Sequence, residues 1–207
     1  MGDIISKDMP ARGMNDPFLL PVLGVMILFY AIYFVKMFAQ KRRGIQTRQL
    51  GKGKNREARA VERALSFATF AVVPAQLVSL IFGWNLAPAP LRMAGVLFGF
   101  GGDAIFLTAV ITMRDSWRAG IPSEEKTELI TDGIYSYSRN PAFLGFDLMY
   151  IGILLAYFNL VLLPLTILTV VTLHLQILQE ESFLRSAFGG EYMEYKKHTS
   201  RYLGRRR

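Results

Sequence analysis

The stretch NPAFLGFDLMYIGILLAYFNLVLLPLTILTVVTLHLQILQ spans residues 140–179 and contains one charged side chain, that of Asp147. As a single helix it would extend about 60 Å at about 1.5 Å per residue, whereas one bilayer crossing requires about 30 Å. The stretch must therefore fold back on itself. Asn159 and Pro164 mark the predicted turn, because asparagine suits turns and proline disfavours helix in the residue before it. Two membrane-spanning helices follow from this stretch alone.

The rest of the chain contains three more long apolar stretches. We predict five transmembrane helices in all, over residues of about 17–38, 64–84, 93–113, 142–158 and 160–178. The 207 residues are 52% hydrophobic and 19% charged, and the mean hydropathy is +0.28, which is atypical of a soluble globular domain. The predicted fold class is an all-α integral membrane bundle, one domain over residues 1–207, with an amphipathic C-terminal helix.

Lysine and arginine lie mostly in alternate connections between the predicted helices. Of the 24 lysine and arginine residues, 21 lie in residues 36–63, in residues 114–139 and in the tail from Glu180 onward. The connections on the other side contain three, namely Lys7, Arg12 and Arg92. Because short cytoplasmic loops collect these residues, we expect the N-terminus outside and the C-terminus in the cytoplasm.

The basic loop at residues 41–63 is the strongest compositional shift in the chain. We interpret it as a solvated cytoplasmic loop, and docking to anionic lipid headgroups or to an acidic partner is the alternative. No nucleic-acid partner is expected, because no aromatic side chains alternate with these cations to stack on bases. The bilayer itself is the partner that the composition indicates.

Metal and dinucleotide sites find little support in the sequence. The chain has no cysteine and two histidines, His174 and His198, without ligand spacing, so no catalytic metal is expected. Residues 99–102, GFGG, lie in an apolar helix and lack the strand that a dinucleotide fold needs. They indicate either close helix packing or backbone exposed to a cofactor. Asp103 beside them is either a structural polar contact or a catalytic group.

Two motifs in the second half of the chain carry the functional signal. GIYSYSRNPAFLG spans residues 133–145, and QEESFLRSAFGGEYMEY spans residues 179–195 and is followed by Arg201. Their order and spacing resemble the C-terminal signature of the membrane methyltransferases that include isoprenylcysteine carboxyl methyltransferase and phosphatidylethanolamine N-methyltransferase. The resemblance covers residues of about 115–203. The chain departs from the family pattern at three positions, which are Asn140 in place of histidine, Phe143 in place of tyrosine and Gly204 in place of proline.

The resemblance implies that S-adenosyl-L-methionine is the cofactor and that the acceptor is lipophilic. It implies Glu180 and Glu181 as catalytic candidates, and Asp103 is a third candidate because it is an ionisable residue within an apolar helix. The cofactor-binding candidates are Gly99, Gly101, Tyr135, Arg139, Asn140, Pro141, Phe143, Gly145, His174, Glu181, Tyr192, Tyr195 and Arg201.

Each group of candidates suits one part of this cofactor. Arg139 and Arg201 suit its carboxylate, a glutamate suits its ammonium group, and the aromatic residues suit its adenine. Because adjacent helical residues point about 100° apart, we expect only one of Glu180 and Glu181 to face it.

Two other functions compete with this interpretation. The first is an NADPH-dependent membrane reductase acting on sterol-like double bonds, and the second is a non-catalytic membrane subunit or scaffold. NADPH phosphates require several cations, whereas the loop at residues 114–141 has four basic and five acidic residues, which suits a cationic donor better. The acceptor stays open between a lipid amine, an isoprenoid carboxylate, a phenol and a thiol.

Overall fold

The computed structural model describes residues 13–45, 56–117 and 128–204. The predicted external segment with Lys7 and Arg12, the centre of the basic loop and residues 118–127 of the predicted cofactor-binding part lie outside the described residues. The described part contains five α-helices. They are α1 (Leu19–Arg42), α2 (Arg56–Ile81), α3 (Ala89–Met113), α4 (Pro141–Ala156) and α5 (Leu162–His198).

The helices confirm the predicted all-α membrane bundle. Four of them, α1, α2, α3 and α5, are long and apolar enough to cross a bilayer. The fifth, α4, is a shorter apolar helix of 16 residues, which corresponds to about 24 Å at about 1.5 Å per residue. It is preceded by a short 3-10 turn at Gly133–Ser136, so irregular backbone leads directly into its first turn.

Glycines bring α3 and α4 into backbone contact. A Cβ atom added at Gly152 would lie 2.6 Å from both the Gly95 carbonyl oxygen and the Gly99 nitrogen. The two helices therefore pack more closely than any side chain would allow, as is common between membrane helices. Helix α1 also packs against α3, where the ring of Phe29 stacks on that of Phe106 with centroids 4.5 Å apart.

Asn159 organises the turn between α4 and α5. Its side-chain oxygen accepts hydrogen bonds from the backbone nitrogens of Val161 and Leu162 at 3.1 and 2.9 Å, which begins α5. Its Nδ2 donates to Ser79 Oγ on α2 at 3.0 Å. The turn is therefore tied to α2, and α2 packs along α5 over the length of the bundle.

Helix α5 continues well beyond its predicted membrane crossing. It passes through Glu180 and Glu181 and kinks at Gly189, whose φ of 51° lies in the region that favours glycine. It then resumes as far as His198. The predicted amphipathic C-terminal helix is thus an extension of the fifth crossing, and residues 199–204 fold back from its end.

The glycine contact between α3 and α4 generates a stability prediction. We expect Gly152→Ala to lower the free energy of unfolding by about 1–3 kcal/mol, because the new methyl group would meet backbone atoms that cannot move aside. Gly101→Ala is the matched control, since an added Cβ there meets nothing within 4 Å. Thermal unfolding in detergent measures both variants. Equal melting temperatures for the two would contradict this packing.

Candidate functional site

Backbone hydrogen bonds hold the residues before α4 against the C-terminal tail. The N–H of Arg139 donates to the carbonyl oxygen of Ser200 at 3.0 Å. The N–H of Gly204 donates to the carbonyl oxygen of Tyr137 at 2.9 Å. Pro141 is the first residue of α4, where a missing N–H removes no helical hydrogen bond. The side chains that precede α4 consequently lie next to both the tail and the C-terminal part of α5.

A buried ion cluster forms where these three segments meet. Arg139 Nη2 donates to Glu181 Oε1 at 2.7 Å, and Arg201 Nη2 donates to Glu181 Oε2 at 2.9 Å. Asn140 Nδ2 also donates to Oε1, at 3.2 Å. The side chains of Arg139 and Glu181 are only 3% and 5% exposed. We predicted from the sequence that these residues converge. The structure brings Arg139, Asn140, Glu181 and Arg201 together.

The cluster keeps Glu181 ionised. Burial alone would raise the pKa of Glu181, but the hydrogen bonds and positive charges of Arg201 and Arg139 outweigh burial and lower it. The hydrogen bond to Glu181 in turn raises the pKa of Arg201. Both arginines therefore contact Glu181, and this carboxylate is already occupied by donors from the protein.

Glu180, the neighbouring residue, faces a polar cavity of about 110 Å³. Adjacent residues of a helix diverge by about 100°, so Glu180 points away from the ion cluster. Part of the cavity wall consists of Tyr135, Arg139, Asn140, Phe143 and Tyr195. The hydroxyl of Tyr195 donates to the carbonyl oxygen of Tyr135 at 2.6 Å, which fixes the tyrosine in the wall. Two acidic side chains, those of Glu180 and Glu128, thus share a single small cavity with one basic and one amide side chain.

The carboxyl group of Glu180 titrates near neutrality. Burial raises its pKa from an ordinary value of 4.5 to about 7, and the nearby negative charge of Glu62 adds to the increase. Gln176, one turn earlier on α5, donates its Nε2 to Glu180 Oε1 at 3.1 Å and opposes the rise only in part. Glu180 can therefore accept or release a proton at physiological pH.

An apolar cavity of about 530 Å³ adjoins the polar one, between α1, α2, α4 and α5. Aromatic side chains make up half of its lining residues and include Tyr30, Phe34, Phe70, Phe146 and Tyr150. Trp117, Ala142 and Phe143 line both cavities. A small cavity with charged side chains, which we call the polar cavity, and an apolar cavity of ligand size therefore share a wall at the start of α4.

Three predicted cofactor-binding residues lie near the site but outside the walls of both cavities. Tyr192 is fully buried, and its ring is 6.3 Å from that of Tyr195. Gly145 packs against Phe106 on α3, where an added Cβ would lie 2.8 Å from the phenylalanine Cβ. His174 Nδ1 is 2.6 Å from the hydroxyl of Tyr202. For these residues the structure shows contacts within the protein.

The remaining candidates are on α3, away from the ion cluster. Gly99 faces Val25 on α1, and Gly101 has nothing within 4 Å of an added Cβ. Both carboxylate oxygens of Asp103 are buried and have no hydrogen-bond partner among the described residues. None of the three lines either cavity. Packing accounts for Gly99, and cofactor or catalytic roles on α3 stay predictions.

Sequence reasoning missed several residues that shape the site. Gln176 is four residues before Glu180, and that helical spacing is a signal that was available. Tyr202 directly follows Arg201, but nothing in the sequence pairs it with His174. Glu62 is fully buried on α2, and only the packing of α2 along α5 brings it near Glu180.

Comparison with known proteins gives consistent matches. Residues 91–191 match the family model described as phospholipid methyltransferase. The protein-S-isoprenylcysteine O-methyltransferase of Saccharomyces cerevisiae is 30% identical over 119 residues, which are 56% of this chain and 50% of that protein. The Schizosaccharomyces pombe protein of the same name is 39% identical over 99 residues, which are 46% of this chain and 42% of its own length. The Tribolium castaneum protein of that name is 27% identical over 99 residues, which are 46% and 35% of the two chains.

These matches confirm the resemblance to membrane methyltransferases. The names of the relatives indicate a methyltransferase and do not favour the reductase or the scaffold. The chain spans about half the length, or less, of the curated relatives that it matches.

The titration of Glu180 predicts how stability depends on pH. Between about pH 4.5 and about pH 7 the folded protein holds a proton that the unfolded chain has lost, so stability should fall as the pH rises. Glu180→Gln cannot ionise, and its gain in melting temperature over the wild type should grow from about pH 5 to about pH 8. Glu57→Gln, at an exposed position on α2, is the control. Coincident pH profiles for Glu180→Gln and the wild type would contradict the assignment.

Proposed function

We propose that this chain transfers a methyl group from S-adenosyl-L-methionine to a lipophilic acceptor, since residues 91–191 match the family model described as phospholipid methyltransferase. The observation that carries the proposal is the wall at the start of α4 that is shared by two cavities, a small one whose lining includes charged side chains and a larger one lined by aromatic and aliphatic side chains. One cavity suits a small charged group, and the other suits a hydrocarbon chain.

The side chains of the polar cavity match the charges of this cofactor. Its amino-acid end has a carboxylate and an ammonium group, and the adjacent sulfonium is a second cation. Arg139 and Asn140 offer N–H donors to the carboxylate, while Glu180 and Glu128 offer negative charge to the cations. Arg139 Nε is buried and has no hydrogen-bond partner among the described residues, so this arginine retains a donor after pairing with Glu181.

The size of the polar cavity assigns it to one end of the cofactor. A space of about 110 Å³ suits the amino-acid and sulfonium end, and the adenosine must extend beyond it. Tyr195 also lines an open groove of about 720 Å³, whose wall includes Glu191 and Glu194. We place the adenosine in this groove, where the two carboxylates can accept hydrogen bonds from ribose hydroxyls.

The lipophilic acceptor fits the apolar cavity. Phe34 on α1 and Phe70 on α2 line it and are 46% and 78% exposed on the membrane-facing surface of the bundle. Acceptors can therefore enter from the bilayer between α1 and α2 without passing through water. The relatives are named for isoprenylcysteine O-methylation. We propose an isoprenylcysteine-type carboxylate or a lipid amine as the acceptor of this chain.

The residues of the chain would position the reactants and exclude water. When bound, the cofactor supplies a methyl group on a cationic sulfur, which leaves as a neutral thioether. Arg139 and Glu180 hold the amino-acid end, and the shared wall at Phe143 keeps water from the reacting atoms. A carboxylate acceptor needs no base. An amine acceptor must lose a proton, and Glu180 is the group placed to take it.

The distribution of cations supports an orientation with the donor site in the cytoplasm. The ion cluster lies at the end of the bundle that carries the basic loop and the tail, and Arg92 lies at the opposite end. We propose that the N-terminus is outside and that the C-terminus and the polar cavity face the cytoplasm.

Cofactor binding provides the first test. Calorimetry should show that the purified chain binds S-adenosylhomocysteine and S-adenosylmethionine. Glu180→Gln should weaken S-adenosylmethionine binding on the order of tenfold, because the variant loses a negative charge beside a cation. Glu57→Gln should bind like the wild type. Failure of the wild type to bind either compound would overturn the proposed function.

Orientation can be tested with single cysteines, because the chain contains none. Leu86→Cys lies in the turn between α2 and α3, and Met193→Cys lies near the end of α5, and both positions are exposed. A membrane-impermeant maleimide should label Leu86→Cys in intact cells and Met193→Cys only after permeabilisation. The reverse pattern would show that the donor site faces outside.

A further inference from the structure

Residues 199–204, which we call the tail strap, cross the cytoplasmic part of the site. Arg139 contacts the strap twice, through its backbone N–H to Ser200 and through Nη1 to the carbonyl oxygen of Thr199 at 2.5 Å. Within the strap, the N–H of Ser200 donates to the carbonyl oxygen of Gly204 at 2.9 Å. Arg201 projects from the strap to Glu181. The position of Arg139 therefore depends on where the strap lies.

A second contact joins the strap to α5. Tyr202 Oη is 2.6 Å from His174 Nδ1, and the two rings stack at an interplanar angle of 18° with centroids 5.9 Å apart. His174 and Glu181 are seven residues apart, so they lie on the same face of α5, two turns from each other. Arg201 and Tyr202, which are neighbours in the strap, thus contact the same face of α5 at two points that are two turns apart.

The hydroxyl of Tyr202 stays protonated under physiological conditions. Burial raises its pKa, and the negative charge of Asp147 on α4 adds to the increase. The O–H is therefore available as a hydrogen-bond donor, and His174 Nδ1 lies 2.6 Å from its oxygen.

We propose that Tyr202 and His174 are positioning residues for the donor site, and that their contact holds the tail strap on α5 so that Arg201 stays on Glu181 and Arg139 stays in the wall of the polar cavity. The proposal rests on the function proposed above. It gives His174 a role through the strap in place of direct contact with the cofactor.

This arrangement predicts a particular kinetic signature. If the contact is lost, the strap spends part of its time away from α5, and only the remaining fraction of molecules can bind the donor. The apparent dissociation constant rises by the reciprocal of that fraction. Once the donor is bound, the site has the same geometry as in the wild type, so the maximal rate is retained. A residue that acts on the reacting atoms would lower the maximal rate instead.

The test compares Tyr202→Phe, which keeps the ring and removes the hydroxyl, with the wild type. The dissociation constant for S-adenosylhomocysteine and the KM for S-adenosylmethionine should both rise on the order of fivefold, with kcat retained. His174→Ala should do the same. His174→Asn, which offers an amide near the position of Nδ1, should restore much of the affinity. Glu57→Gln, at an exposed position on α2 outside both cavities and the groove, is the control.

A structural readout accompanies the binding measurement. Amide hydrogen exchange at Ser200 and Gly204, which are hydrogen-bonded in the strap, should accelerate in Tyr202→Phe while exchange in α3 and α4 stays unchanged. Wild-type affinity in Tyr202→Phe, or a loss of kcat at constant KM, would overturn the positioning role. A wild-type protein that binds no S-adenosylhomocysteine would instead overturn the proposed function.

Discussion

One carboxylate, that of Glu181, joins three parts of the chain that are far apart in sequence. It accepts hydrogen bonds from Arg139 before α4 and from Arg201 in the tail, while its own backbone belongs to α5. Burying such charges costs several kcal/mol each, and breaking a buried pair by removing one partner typically costs about 3–5 kcal/mol. Loss of either arginine would therefore leave the buried carboxylate of Glu181 incompletely paired. With the cluster formed, Glu180 faces the polar cavity and Arg139 keeps its place in the wall.

In the proposed reaction, the polar cavity would hold the water-soluble donor and the apolar cavity would hold the lipophilic acceptor. The polar cavity lies beside the ion cluster, and the apolar cavity opens through exposed aromatic rings on α1 and α2. Phe143 belongs to both, so the donor and the acceptor would meet where the two cavities adjoin, with the nucleophile in line with the bond from the methyl carbon to sulfur. Methyl transfer demands little from a catalyst beyond alignment and the exclusion of water, and this arrangement supplies both.

Much of this architecture could be predicted from the sequence, because hydropathy and charge act over long stretches. The five helices and the convergence of Arg139, Asn140, Glu181 and Arg201 follow from apolar length and motif order. The rotation of α5 could not be predicted, because the packing of α2 decides which glutamate faces the cavity. The role of Gly99 could not be predicted either, because small residues in a helix indicate close packing and cofactor contact equally well.

The most direct test is ultraviolet cross-linking of radiolabelled S-adenosylmethionine to the purified protein, followed by mapping of the labelled peptides. Label in the peptides that contain Phe143 or Tyr195 is the result that the account predicts, because both side chains line the polar cavity. Label confined to the α3 peptide around Gly99 and Gly101 would contradict it, since the donor would then lie away from the ion cluster.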